Sequence, residues 1–248
     1  MTGQEIRFTH VKNRHPGLKS NNALALALAG GPSIYTREDV MHSIQTLEPS
    51  RYAEVIPFVC REFVEGSVLH QALGVRVEDY TTYLTEPIRT IAGEGFSLIA
   101  TNSKSNAIEG CILAGEFAPS SSGNNPPPAY LAPVRALTDV LEHAYRERRD
   151  VTPGSTLLVD IAVVAKSARR LGVYKRLREA VQARARDRGY QRVIGELSSP
   201  VTQHMCVKQW GHTIEWEIVL GTFEFNGMYP FANISSPNSI QLVETTLA

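Results

Sequence analysis

Residues 156–198 contain two apolar, strand-like runs separated by one helical pattern, and this spacing constrains the fold more than any other part of the chain. The runs at 156–164 and 191–198 are rich in Val, Ile and Leu, which is typical of buried strands. Between them, apolar residues recur at helical spacing over 171–189, and Gly189 supplies a stop signal. Parallel strands need such a crossover. The segment therefore predicts a right-handed βαβ unit within an α/β fold.

The turn that leads from the first strand into this helix is basic and contains a glycine. Arg169 and Arg170 precede Gly172, and the helical pattern begins there. The first turn of a helix leaves N–H groups unpaired, and the helix dipole places positive charge at the same end. These features together favour binding of a phosphate group. The alternative is an ordinary strand-to-helix turn with a solvated basic face.

The rest of the chain predicts a single mixed domain. The order of predicted elements is β α α β β α β α β α β β, with strands at 41–47, 96–101, 107–117 and within 213–225, and helices at 51–64, 77–92, 133–149 and 200–210. Pro87 is expected to kink or split the second helix. Residues 118–128 are predicted to be a loop, and residues 1–38 an N-terminal extension, disordered or folded over a domain at 39–248.

Composition narrows the function classes. Lys+Arg and Asp+Glu both number 25, so the neutral balance argues against nucleic acid or an anionic membrane as main partner. Three widely spaced cysteines favour neither a disulfide framework nor a zinc site, and they suit a reducing cytoplasm. No apolar run reaches the roughly 20 residues of a transmembrane helix. The short apolar run at 23–29 is only a weak signal-peptide pattern.

The basic turn resembles motif A of the GCN5-related N-acetyltransferase superfamily, whose loop reads Gln/Arg-x-x-Gly-x-Gly/Ala. Arg169 and Gly172 match this pattern, whereas Tyr174 stands in the place of a small residue. The resemblance covers roughly residues 40–230. It implies a central mixed β-sheet flanked by helices, with splayed parallel strands at the cofactor cleft, and acetyl-CoA or another acyl-CoA as co-substrate without a metal ion. It assigns the cofactor to Ala162, Val163, Val164, Arg169, Arg170, Leu171, Gly172, Val173 and Tyr174.

Within the superfamily, the chain most resembles the arylalkylamine and dopamine N-acetyltransferase branch. The basis is the segment 61–69, the helix at 133–149 and the turn at 210–212. In an ungapped alignment, the catalytic glutamate of that branch falls on Ser67. The tyrosine with which many relatives protonate the CoA thiolate falls on Val207. The resemblance therefore predicts the fold more firmly than it predicts the catalytic groups.

Acyl transfer to an amine needs a proton acceptor for the amine and a proton donor for the leaving sulfur. Candidate bases are Glu65, at a helix-to-loop transition, and Asp160, inside an apolar strand where burial raises a carboxyl pKa unless it is paired. Glu62 and Glu196 are further candidates. His204 or Cys206 is the candidate proton donor, since Val207 cannot serve. Ordinary roles remain open, with Asp160 paired to an arginine and Glu65 solvated.

An aromatic acceptor pocket is a further expectation. Its candidate residues are Tyr80, Tyr83, Tyr130 and Trp210, with core packing as the alternative, and the 118–128 loop is expected to border it as a lid. The sequence thus predicts an N-acyltransferase for the amine of a small molecule, acting as a monomer or homodimer. Three alternatives stay open: a protein or peptide N-acetyltransferase, a catalytically degenerate protein that binds acyl-CoA, and a related enzyme with altered chemistry on an acyl thioester.

Overall fold

The protein contains a seven-stranded mixed sheet with the strand order β1-β2-β3-β4-β5-β7-β6. A computed structural model describes residues 41–117 and 127–247, so the expectations for residues 1–38 and for most of the 118–128 loop lie outside the described residues. All neighbouring strands pair antiparallel except β4 and β5, which are parallel, as the βαβ pattern predicted. The strands are β1 (His42–Thr46), β2 (Leu98–Asn102), β3 (Ile108–Glu116), β4 (Thr156–Val164), β5 (Arg192–Leu197), β6 (Thr213–Val219) and β7 (Ser239–Thr246).

Helices connect these strands at the places that the apolar periodicity predicted, except for the short helix α2, which the sequence did not predict. They are α1 (Tyr52–Gly66), α2 (Val68–Ala72), α3 (Val77–Gly93), α4 (Ala132–Arg148), α5 (Val173–Asp187) and α6 (Pro200–Gln203), which continues as a π-helical segment over His204–Gln209. Pro87 does not split α3, which is one continuous helix of 17 residues. Within 41–117 and 127–247, no helix combines the length and the apolar character that a membrane crossing requires.

Helices cover both faces of the sheet. Along β3, Cys111 and Leu113 pack with α1 and α3, whereas Ile112 and Ala114 pack with α5. Successive strand side chains point to opposite faces, so this alternation defines an α5 face and an opposite face. On the opposite face, α4 packs over β5, β6 and β7. The sheet is therefore the middle layer of three, and its parallel pair is buried on both sides.

The prediction was wrong at the C-terminal hairpin. The sequence placed one or two strands within 213–225, but only β6 lies there, and its partner β7 begins at Ser239. β7 inserts between β5 and β6, so it pairs with both. The intervening segment contains short turns, two glycines and two prolines, which do not support a strand. The described fold thus extends past residue 230, where the sequence resemblance ended.

Candidate active site

The parallel strands β4 and β5 separate in the middle of the sheet. Their register runs from Thr156 with Arg192 to Val159 with Gly195, and no further pairs follow. On its other edge, β4 stays paired with β3 up to Val164. The register between β3 and β4 shifts between Val159 and Ile161, so Asp160 is the extra residue of a β-bulge. Beyond the split, β4 presents backbone groups that β5 does not pair.

A cleft of 720 Å³ opens at this split. Side chains and backbone of β4 and β5 form its floor, and the basic turn before α5 forms one end. The side walls come from α1, α3, α4 and α6. This volume falls within the range of about 300–1,000 Å³ that small-molecule sites occupy. The cleft is therefore large enough for a small molecule. Its lining differs in charge from one end to the other, with acidic side chains at one end and basic side chains at the other.

Three carboxylates form the acidic region, on the α4 face of the sheet. Asp160 and Glu196 follow directly after the last paired residues of their strands, and Glu142 faces them from α4. Glu196 shares the face of Ile194, two residues earlier, which packs in the α4 cluster. Its Oε1 atom is buried and has no hydrogen-bond partner among the described residues. The three acids thus converge on one part of the cleft.

Burial and mutual repulsion shift the acidity of these groups. Burial, followed by the charges of Glu142 and Asp160, raises the pKa of Glu196 well above its ordinary value. Desolvation within the cleft raises the pKa of Glu142 and also that of Asp160, although the Asp160 side chain keeps an exposed surface that weakens the effect; Arg135 opposes both shifts. Arg135 forms its close ion pair with Asp139, at 2.7 Å, so it only partly neutralises the three acids. Carboxylates with raised pKa values are better proton acceptors near neutral pH.

The turn before α5 forms the basic region. Arg170 and Gly172 adopt left-handed conformations, with φ of 69° and 74°, and Gly172 is the N-cap of α5. The first hydrogen bond of α5 joins the N–H of Arg176 to the carbonyl of Gly172. The N–H groups before Arg176 therefore have no acceptor within the helix. Arg169 lies over the end of β4, where its Nε donates to the Val164 carbonyl at 3.3 Å.

This donor set fits a phosphate group. It combines unpaired N–H groups, the positive end of a 15-residue helix and the side chains of Arg169 and Arg170, all at the mouth of one cleft. Arg169 forms an ion pair with Glu62 at 3.5 Å, between Nη2 and Oε2, so Glu62 offsets part of its charge, whereas Arg170 lines the cleft beside it. A phosphate on this turn directs the rest of a bound molecule toward the split. The cofactor residues predicted at 162–164 and 169–174 line this cleft except Leu171, whose side chain is exposed outside it, and their role stays a prediction.

Tyr174 lies on this path and packs toward the π-helical segment. Its ring stacks on Trp210, with 5.6 Å between centroids, and its hydroxyl lies 3.5 Å from the Sγ atom of Cys206. Burial raises the pKa of the Tyr174 hydroxyl, so it remains protonated at neutral pH. Tyr174, the residue that departs from the family pattern, is therefore part of the cleft wall and packs against Trp210.

The other two predicted catalytic residues lie apart from the three acids. Glu65 forms an ion pair with Lys166 at 3.0 Å, and its side chain does not line the cleft. His204 is exposed at the start of the π-helical segment and does not line the cleft either. Asp160 alone of the three predicted catalytic residues faces the interior of the cleft. The roles of all three residues stay predictions.

Other predicted residues occupy specific places in the wall. Tyr80 and Tyr83 line the cleft, whereas Tyr130 and Trp210 pack at its margins. Ser67 caps α2 and its hydroxyl lies 2.8 Å from Nδ1 of His70, which is buried beside Tyr80. Burial lowers the pKa of His70 to about 4, so the imidazole is neutral. This part of the wall is therefore aromatic and uncharged.

Sequence reasoning missed Glu142 and Arg135. Both residues belong to α4, whose apolar stripe the sequence did predict. A charged residue beside such a stripe is expected to face solvent. Nothing in the sequence indicated that the open end of the sheet lies beneath these two residues. The packing of Leu137 and Leu141 fixes the rotation of α4 and turns these polar residues toward the split. Helical spacing from Leu137 and Leu141 was the available signal, but it needed the position of the helix on the sheet.

No protein-family model and no curated protein matches this chain. Solved structures do match it. The C-terminal condensation domain of Ebony, in complex with β-alanyl-dopamine, superposes with a TM-score of 0.74 at 16% identity, covering 83% of this chain and 98% of that one. Arylalkylamine N-acetyltransferase 2 from Aedes aegypti gives a TM-score of 0.70 at 18% identity, covering 84% and 99%. A polyamine N-acetyltransferase from Drosophila melanogaster gives 0.66 at 16% identity, covering 83% and 100%. The chain therefore has the fold of the GCN5-related N-acetyltransferases, as its basic turn and element order predicted.

Proposed function

We propose that this protein is an N-acyltransferase that moves an acyl group from acyl-CoA to the amine of a small molecule. The observation that carries the proposal is the split between β4 and β5, with a phosphate-binding turn at one end of the cleft and three carboxylates at the other. Such a site brings an anionic donor and a cationic acceptor together from different sides. The neighbouring structures named for arylalkylamine and polyamine acetylation support the same class of acceptor.

The donor half belongs to β4 and to the basic turn. Arg169, Arg170 and the first N–H groups of α5 hold the diphosphate in this proposal. The free edge of β4 beyond Val159 offers N–H and C=O groups to an extended pantetheine arm, in the manner of an added strand. The acyl-CoA supplies an activated thioester carbonyl when it is bound. The protein orients that carbonyl at the split and shields it from water.

The acceptor half belongs to the three acids. An ammonium group is attracted to Glu142, Asp160 and Glu196, and it must lose a proton before its nitrogen can attack. Asp160 and Glu196 lie closest to the split, and their raised pKa values suit them to accept that proton. The new C–N bond then forms as the C–S bond breaks, and the thiolate leaves with a proton from solvent or a nearby side chain. Tyr80 and Tyr83 provide an apolar wall for the rest of the acceptor.

A catalytically inactive acyl-CoA-binding protein is the second candidate. The observation that favours it is that Ser67 and Val207 replace the catalytic groups of the resembling branch, and Ser67 is engaged in capping α2. A protein or peptide acceptor is a third possibility within the same enzyme class. An open cleft with an acidic wall accommodates a peptide amine as well as a free one.

The test combines binding and turnover. We expect acetyl-CoA to bind by titration calorimetry, and we expect incubation with a panel of aromatic and aliphatic amines and one amine-terminal peptide to release free thiol. Asp160→Asn and Glu196→Gln should lower turnover while keeping acetyl-CoA affinity, whereas Arg169→Met should weaken affinity. Glu147→Gln, at an exposed position on α4, serves as the matched control.

Each outcome has a distinct reading. Binding without thiol release for any amine supports the inactive candidate. Release only with the peptide supports the peptide acetyltransferase. Failure to bind acetyl-CoA overturns the donor assignment, and with it the proposal.

A further inference from the structure

A second cavity lies beside α5, and Lys175 in the first turn of that helix lines both this cavity and the main cleft. It measures 300 Å³ and is bounded by α5 between Lys175 and Gln182, by Trp210 and His212, and by Thr245 near the end of β7. Thr245 pairs with Val193 near the start of β5, whereas the split of the sheet begins only after Gly195. The cavity is therefore displaced along the strands from the reacting part of the main cleft.

Three of the residues that line this cavity carry polar side-chain atoms without a partner in the described part of the chain. Nε and Nη2 of Arg178, Nδ1 of His212 and Oγ1 of Thr245 are all buried and have no hydrogen-bond partner among the described residues. Arg178 is 1% exposed and His212 is 7% exposed. A buried polar atom without a partner costs about 1–3 kcal/mol, and more if it is charged. Four such atoms on residues that line one cavity favour a polar occupant there.

The charge of Arg178 indicates the sign of that occupant. Within the part of the chain that the structure describes, no ion pair includes Arg178, although it is the largest fully buried side chain. The nearby carboxylate of Glu179 lies 2.6 Å from Lys175 Nζ. A buried guanidinium without a counter-charge is strongly unfavourable. Water would satisfy its hydrogen bonds but would leave the charge uncompensated.

We propose that this cavity is a binding site for a small anion of the carboxylate or phosphate type. Nε and Nη2 of Arg178 lie on one edge of the guanidinium, which is the geometry that holds two oxygens at once. The Thr245 hydroxyl and the His212 imidazole are the additional donors. Trp210 bounds the cavity with its ring, so a short apolar or planar tail on the anion is accommodated there. The volume sets an upper limit near the size of a small metabolite.

Arg178 also connects this cavity to the main cleft. Arg178 lines both the second cavity and the main cleft. Its Nη1 atom lies beside Gly195 of β5, 3.4 Å from the position that a Cβ atom would take on that glycine. It is also close enough to Tyr174 to lower that hydroxyl's pKa against the opposing effect of burial. An anion on Arg178 therefore changes the electrostatics beside the split. The site itself does not depend on acyl transfer.

Binding is tested directly with acetate, benzoate and inorganic phosphate, by calorimetry and by the change in tryptophan fluorescence. We expect at least one probe to bind saturably at millimolar concentration and to raise the melting temperature. Arg178→Met should weaken that binding about tenfold or more. Thr245→Val, which preserves shape and leaves no polar atom unsatisfied, should weaken it several-fold. Thr222→Val, at an exposed position outside the cavity, should change nothing.

Two further variants locate the anion and separate this site from the donor site. If Arg169→Met abolishes binding and Thr245→Val does not change it, the anion sits on the basic turn and the proposal is wrong. If none of the probes binds, or if a crystal soaked with the probe shows ordered water only in the cavity, the proposal is also wrong. Thr245→Val keeps the test decisive even if Arg178→Met does not fold. Acetate preference would indicate a carboxylate ligand, and phosphate preference a phosphorylated one.

Discussion

Asp160 and Glu196 occupy equivalent positions on adjacent parallel strands, each one residue past the last backbone pair, Val159 with Gly195. The bulge at Asp160 and the separation of β5 aim both carboxyl groups at the same end of the cleft. Neither strand could place an acid there if the pairing continued, because the side chain would be confined within a packed layer. The split in the sheet therefore creates the acidic region.

Replacing these acids should affect turnover more than donor binding. We expect Asp160→Asn and Glu196→Gln each to lower kcat. Substitution of the residue that acts as the general base should lower kcat by about 10²–10⁴-fold, which is the usual contribution of such a group. The apparent affinity for acetyl-CoA should stay within a few-fold of the wild type. Steady-state kinetics at several pH values measures both. Glu65→Gln tests the competing assignment from the sequence, and a larger loss there than in both cleft variants would contradict the proposed base.

Glu196 should make the protein less stable as the pH rises. Its pKa is raised in the folded state, so the fold favours the protonated carboxyl group. The contribution of this group to stability is therefore complete below the unfolded-state pKa of about 4.3, and it is lost as the pH rises through the folded-state pKa. Glu142 acts in the same direction, and Asp160 does so more weakly because its side chain is exposed to solvent. Glu196→Gln should therefore gain stability relative to wild type at pH 8, by about 1–2 kcal/mol, and gain less at pH 5.

Urea unfolding at both pH values measures this difference. Glu78→Gln, whose side chain is 74% exposed, is the control and should show no pH-dependent gain. An equal effect of Glu196→Gln at pH 5 and pH 8 would contradict the raised pKa.

Gly110 should be intolerant of a side chain. A Cβ atom there would lie 2.7 Å from Cγ1 of Val173 and 3.1 Å from Cδ1 of Leu177, so it would push α5 off the sheet. We expect Gly110→Ala to cost about 1–3 kcal/mol of stability, as overpacked cores do, and to weaken acetyl-CoA binding because Val173 begins the helix that holds the phosphate. Thermal unfolding and calorimetry test the two effects. Gly93→Ala, where no atom lies within 4 Å, is the matched control.

The three cysteines should be inert in the native protein. Cys60, Cys111 and Cys206 are fully buried, and burial raises the pKa of each thiol. A thiol-reactive dye should therefore label the folded chain slowly and react with three thiols only after denaturation. Because the protein's own thiols should react slowly with the dye, release of the CoA thiol can be followed over a low background. One rapidly labelled equivalent would contradict this expectation, and peptide mapping would show whether the accessible thiol is Cys206, which contacts Tyr174.

Tyr174 should matter for its ring more than for its hydroxyl. The hydroxyl makes one long contact, 3.5 Å to Cys206 Sγ, whereas the ring stacks on Trp210. Tyr174→Phe is expected to cost less than about 1 kcal/mol, and Tyr174→Ala about 3–5 kcal/mol through the cavity it leaves. Denaturant unfolding compares the two. If Tyr174→Phe stops turnover without loss of stability, the hydroxyl takes part in the reaction, as a proton donor in place of Val207.

The sequence by itself determined the elements and the basic turn. The apolar spacing of 156–198 required a parallel strand pair with a helical crossover, and Gly172 marked the start of that helix because only glycine adopts its φ of 74° without strain. Those signals are local, so they survive in a single sequence. The resemblance to the acetyltransferases depended on the same local pattern, and the fold confirmed it.

The tertiary structure decided where the chemistry lies. Only the end of pairing at Val159 and Gly195 shows that Asp160 and Glu196 share a cleft, and only the rotation of α4 adds Glu142 to them. β7 joins β5 through contacts between distant parts of the chain, which no local pattern predicts. Likewise, the sequence predicts Arg178 to be one of several solvent-exposed basic residues on α5, and only the packing of the helix shows that it is buried. Burial and long-range pairing are properties of the assembled fold, so they set the acidities and charges that the sequence could only suggest.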